Sequence, residues 1–158
     1  MASRGFEFAF DLQKGCTPVI RDLVCGETDA YVKGDLVCLQ TDGYVDKLTT
    51  SIGEITGVVQ EARAAGNTAG TTLVKVAIAT PSQVWKCSMD ASAATTAIVG
   101  YTKTLDTNDA HTIDAADITN GSLILLDKSE LDDAGNILAY VTFSDVTFVR
   151  GTVDTDTT

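Results

Sequence analysis

The sequence predicts an all-β fold: a small β-barrel or β-sandwich of short antiparallel strands with an extended N-terminal arm. Three observations carry that expectation. Apolar runs are short and closely punctuated by turn residues, as in "YVKGDLVCLQTDGYVDKL" over 31–48, where a Lys-Gly-Asp turn, the run "LVCL" and an Asp-Gly turn succeed one another. The opening "GFEFAFDLQ" alternates strictly, which sets Phe6, Phe8, Phe10 and Leu12 on one side of an extended segment and Glu7, Ala9 and Asp11 on the other. Helical composition is confined to "QEARAA", about one and a half turns, which is too short to stand alone.

Taken in order, the opening segment is either the first strand of the chain's own sheet or an arm whose aromatic face packs on a neighbouring subunit. After Pro18 and "CGETDAYVKGD", "LVCL" reads as a strand buried on both faces, and "TDG" turns it into "YVDKL". "GEITGVVQEA" and "TTLVKVAIAT" predict two further strands, joined by "RAAGNTAG", where Gly66, Asn67 and Gly70 mark a mobile turn. Pro81 ends that series, and "PSQVWKCSMD" contributes Trp85, the only indole. "AIVGYTKTL" reads as a strand, "DTNDAHTIDAADITNG" as a polar acidic loop, "SLILL" as a buried strand and "DKSELDDAGN" as a turn. "ILAYVTF" and "VTFV" come next as strands, with Ser144 and Asp145 forming a bulge or tight bend between them. The strings "GDLVCLQTDGYVDKL" and "GSLILLDKSELDDAGNILAYV" share an order of Gly, polar residue, apolar run, acidic Gly-containing turn and apolar run. Either a duplicated β unit or two ordinary hairpins would give that echo.

With 158 residues and 44% hydrophobic content, the chain can bury a core without metals or disulfides. Lys plus Arg number 11 against 22 for Asp plus Glu, and the resulting net charge of -11 repels nucleic acid and anionic lipid. Neither is an expected partner. No run reaches the 18 or so consecutive apolar residues of a membrane span, and "MASRGFEFAF" lacks the unbroken apolar core of a secretion signal. Synthesis in the cytosol is therefore expected, and there Cys16, Cys25, Cys38 and Cys87 stay reduced; with no Cys-x-x-Cys pair, they read as small apolar fillers.

Signatures of chemistry are sparse. The sole histidine, His111, lies in the most polar stretch, so neither a His-based nucleophile system nor a His-pair zinc site can be assembled. "GNTAGTT" lacks the Gly-Lys-Ser/Thr ending of a phosphate cradle and reads as a hairpin loop. Asp106, Asp109, Asp114 and Asp117 could offer hard oxygens to calcium, but the order of ligands in an EF-hand is missing. A sugar-binding aromatic platform could draw only on Trp85, Tyr101 and Tyr140. The expectation is a protein that is not an enzyme and carries no cofactor or metal.

The succession "YVKGDLVCL", "GEITGVVQEARAAG", "TTLVKVAIA", "QVWKCSMD", "VGYTKTLDTNDAHTIDAAD", "SLILLDKSEL" and "ILAYVTF" spans roughly residues 17–150. In its order of segments it resembles the small β-rich decoration, or cement, proteins that coat the heads of tailed bacteriophages. The resemblance implies a structural virion protein on the outer capsid surface, bound to the major capsid protein, often as a homotrimer, and stiffening the shell against the pressure of packaged DNA. It brings no residue-level motif. The contact residues expected from the sequence, with capsid or neighbouring subunit, are Phe6, Phe8, Phe10 and Leu12. The expected layout is an arm or edge strand at 1–16, a β-rich body at 17–150 and a flexible acidic tail at 151–158, with a division of the body into two β subdomains near 81–90 left open. Rival readings are a head-fibre base or other virion β module, and a carbohydrate-binding β-sandwich.

Overall fold

Ten short strands make up the regular structure, and the described residues contain no helix. The computed structural model describes residues 5–13, 17–26, 28–40, 42–48, 54–93, 97–105, 112–116 and 121–146. The strands are β1 Glu7–Asp11, β2 Ile20–Val24, β3 Leu36–Leu39, β4 Val45–Lys47, β5 Gly57–Val59, β6 Leu73–Ile78, β7 Gln83–Ser88, β8 Thr102–Lys103, β9 Leu123–Leu131 and β10 Ile137–Phe143. They form two five-stranded sheets, β1-β7-β10-β9-β8 (sheet A) and β2-β6-β5-β3-β4 (sheet B), and every pair of neighbours within them is antiparallel. Neither closes into a barrel. Sheet B is built from one continuous stretch, and β1 is the only strand from before it that joins sheet A.

The two sheets face each other across one large apolar cluster, the arrangement of a β-sandwich. Sheet B contributes Leu36, Cys38, Val58 and Ala77, while sheet A contributes Trp85, Cys87, Leu123, Leu125, Ala139, Val141 and Phe143. The pattern in β10 explains its orientation: Ile137, Ala139, Val141 and Phe143 are buried, and the residues between them are half-buried. Both sheets contribute to this cluster, and the chain passes from sheet B to sheet A between β6 and β7, just before the region 81–90.

Sheet B has a second buried face. Val37, Val45, Val59, Val74 and Val76 pack there with Cys25 and Tyr31, all fully buried. Neighbours along a strand point to opposite faces, so Leu36 and Cys38 enter the first cluster and Val37 the second, and "LVCL" is buried on both sides as its composition predicts. The cover comes from the chain itself. Tyr31 and Arg63 exchange backbone hydrogen bonds at 2.9 and 2.8 Å, Gly66 N donates to Thr28 O, and Asn67 Nδ2 donates to Asp29 O at 2.7 Å. The Tyr31 hydroxyl donates to Val45 O at 2.8 Å, which anchors that cover to the sheet beneath. Strand β5 itself has no room for a side chain at Gly57, where a Cβ would fall 2.2 Å from Ala77 O.

"QEARAA", too short for a lone helix, is not helical, and Arg63 forms a two-residue bridge with Tyr31. Several other local expectations are revised. The turn expected over "DKSELDDAGN" shrinks to its second half, because β9 continues through Leu131. Strand formation in "AIVGYTKTL" is limited to Thr102–Lys103. Two strands that the sequence does not mark, the edge strand β2 and the interior strand β7, are added. The bend at Ser144 and Asp145 is present, and "VTFV" runs beyond the described residues after Val146. The two echoing strings are both hairpins, β3–β4 and β9–β10, one in each sheet. Cys38 and Cys87 lie in the first cluster and Cys25 in the second, all three buried.

Candidate interaction surface

Strand β1 is the edge of sheet A and pairs with β7 of its own chain. The four expected contact residues do not share a face. Phe6 is buried and meets Phe143 edge-on at 6.0 Å; Phe8 meets Trp85 edge-on at 5.5 Å, and Trp85 stacks on Phe143. These two phenylalanines therefore serve the chain's own core. Phe8 pairs with Trp85 but Phe10 pairs with Val84, so one extra residue, Ala9, is accommodated between them. That bulge reverses the alternation and turns Phe10 to the outer face of the sheet, where it is 45% exposed. Leu12, 56% exposed, lies just past the strand, with its N-H donated to Ser82 O. Nothing in a strictly alternating sequence signals such a bulge, which arises from pairing with a strand more than seventy residues away.

The register of sheet A assigns the rest of this outer face. Glu7 pairs with Lys86, Lys86 with Tyr140 and Tyr140 with Asp127, one row across four strands. Leu138 pairs with Glu130 on the same side. Two irregularities in the β9–β10 register insert extra residues into β9; Leu126 is one of them and is 38% exposed. The result is an open groove of about 540 Å³, lined by Phe8, Ala9, Phe10, Lys86, Leu126, Asp127, Glu130 and Tyr140. At the adjoining edge the turn carrying Ile98, Val99 and Tyr101 is hydrogen-bonded to Leu125, and all three of its apolar side chains are exposed.

The groove has a mixed lining, with Phe8, Phe10 and Leu126 beside Lys86, Asp127, Glu130 and Tyr140. Lys86 Nζ lies 3.6 Å from Glu7 Oε2, so its charge is answered within the sheet. The Tyr140 hydroxyl donates to Glu130 Oε2 at 2.9 Å, and that bond, reinforced by burial and the neighbouring carboxylates, holds the phenol above its ordinary range. Asp127 is held below the usual carboxylate range, chiefly by the Ser129 N-H donated to Oδ1 at 2.8 Å. On β9, Asp127 lies between the two irregularities and Glu130 beyond the second.

Among the described residues no three His, Cys, Asp or Glu side chains are grouped to hold a metal. His111, Asp106, Asp109 and Asp117 lie outside the described residues, as does Cys16; Asp114 Oδ1 accepts the N-H of Ala116. Trp85 is fully buried, so an aromatic platform cannot include it, which leaves Tyr101 and Tyr140 of the three expected. The Gly66–Gly70 loop is stitched to Cys25, Thr28 and Asp29 as part of the cover of sheet B. No described helix is long and apolar enough to cross a membrane. The chain matches no protein-family model and no curated protein sequence.

Proposed function

We propose that the protein is a structural virion component, a decoration protein that binds the major capsid protein on the outer surface of an assembled bacteriophage head and stabilises the shell. The observation that carries the reading is the outer face of sheet A, where Phe10 and Leu126 stand exposed around an open groove on a sheet fixed from behind by the shared core. A rigid sheet presenting exposed apolar residues can adhere without rearranging, so little of the interaction is lost to ordering. The segment order that resembles phage cement proteins supports the same reading. So does the net charge of -11, which keeps many copies dispersed and away from packaged DNA.

Trimers at local three-fold positions fit this role, since each copy then needs only a modest interface of roughly 1,000 Å² while neighbouring copies multiply the attachment. Attachment confined to the assembled lattice stabilises that lattice by mass action. The test is cosedimentation of the purified protein with undecorated heads, with free major capsid protein as the control. Saturable binding to heads alone, with a rise in their heat resistance, is expected; failure to cosediment at saturating concentration overturns the proposal.

A further inference from the structure

We infer that the groove on the outer face of sheet A is a docking site for an arginine side chain flanked by aliphatic residues, presented by an extended segment of a partner protein. Glu7 already answers Lys86, so Asp127 and Glu130 give the groove an excess of two negative charges beside the apolar surfaces of Phe10 and Leu126. Each carboxylate accepts more hydrogen bonds than the one from Ser129 N or from the Tyr140 hydroxyl occupies. A guanidinium suits this combination better than an ammonium: its planar fork can bond a carboxylate in bidentate fashion while its flat face stacks on the neighbouring Tyr140 ring. Its aliphatic stem and apolar neighbours can lie against the exposed Phe10 and Leu126.

Charge decides between occupants. A second copy would bring the same two carboxylates against this face from a chain of net charge -11, and a nucleic acid or anionic headgroup would be repelled likewise. The groove, at about 540 Å³, lies within the size of ordinary small-ligand sites, roughly 300–1,000 Å³. Only the identity of the partner rests on the decoration reading; the chemistry of the occupant is set by the groove.

The experiment is titration of the isotope-labelled full chain with a capped Ala-Leu-Arg-Leu-Ala peptide, monitored by amide shifts. Its citrulline counterpart, the same shape without the charge, serves as comparison. Shifts confined to Phe10, Lys86, Leu126, Asp127 and Tyr140 are expected, with affinity falling about tenfold for citrulline and about tenfold again in the Asp127→Asn, Glu130→Gln double variant. Both substitutions are at exposed positions, and an unchanged thermal transition checks that the variant is folded. Absence of localised shifts at millimolar peptide, equal binding of the citrulline peptide, or unchanged binding by the double variant overturns the inference. So does concentration-dependent self-association that Phe10→Ser abolishes, which would make a second copy the occupant. The two proposals fail separately: peptide binding without head binding removes the decoration role alone, whereas head binding indifferent to the double variant removes the arginine site alone.

Discussion

The outer faces of the two sheets meet opposite fates: one is apolar and covered, the other mixed in character and open. On sheet B, Val37, Val59, Val74 and Val76 are fully buried because residues 28–34 and 60–72 fold back over them and are tied together by backbone hydrogen bonds. On sheet A, Phe10 and Leu126 stay exposed beside a charged row of Glu7, Lys86 and Asp127. The cover of sheet B comes from the connections β2–β3 and β5–β6, with Tyr31 as its apolar anchor, whereas beside the groove of sheet A the strands β9 and β10 are joined by the short Asp132–Asn136 turn. A face that its own chain covers contributes to stability; an apolar face left open is available for binding.

The sharpest way to break this comparison is Tyr31→Ala. It removes a fully buried ring and the hydroxyl bond to Val45 O that together hold the cover of sheet B, and a loss of about 3–5 kcal/mol in urea unfolding is expected. A loss below about 1 kcal/mol would mean that the cover is not part of the folded core.

Next in size is Asp132→Ala. Burial pushes the Asp132 carboxyl up, but the Ser88 hydroxyl at 2.6 Å and the N-H groups of Asn136 and Ala134 outweigh it and hold the group below the usual carboxylate range. A depressed folded-state pKa gives stability that is complete above the unfolded value, near 3.9, and is lost as pH falls through the lower folded value. Substitution should therefore cost about 1–2 kcal/mol at neutral pH and flatten the acid limb of the stability profile below about pH 4, measured by denaturation at several pH values. An acid limb identical to that of the parent chain would assign the effect elsewhere.

Smallest is Phe10→Ala, where a ring already 45% exposed should change stability by about 1 kcal/mol or less. The same substitution should weaken cosedimentation with heads markedly. A large stability loss would mean that the outer face of sheet A belongs to the core.

Much of the architecture could be read from the chain. The short apolar runs and Asp-Gly or Asn-Gly turns specify strands, and "LVCL" announces burial on both faces because it has no polar side to expose. The candidate interaction surface is less legible in the sequence. Phe10 and Leu12 were picked out with Phe6 and Phe8 by an alternation that holds locally, and the bulge at Ala9 then separates them. Leu126, Asp127 and Glu130 were missed because "DKSEL" has the polarity of a turn, although β9 extends through it as an exposed strand. Trp85 has the composition of a binding residue and the position of a core one.

Composition and local order thus determined the class of structure, the charge and the apolar surroundings of the described cysteines, since strand period and turn chemistry act over a few residues. Tertiary pairing decided which side of each sheet is covered, where the register slips and which acidic groups face one another. Those outcomes depend on strands distant in sequence, and a shift of one residue in pairing exchanges the inside of a strand for its outside.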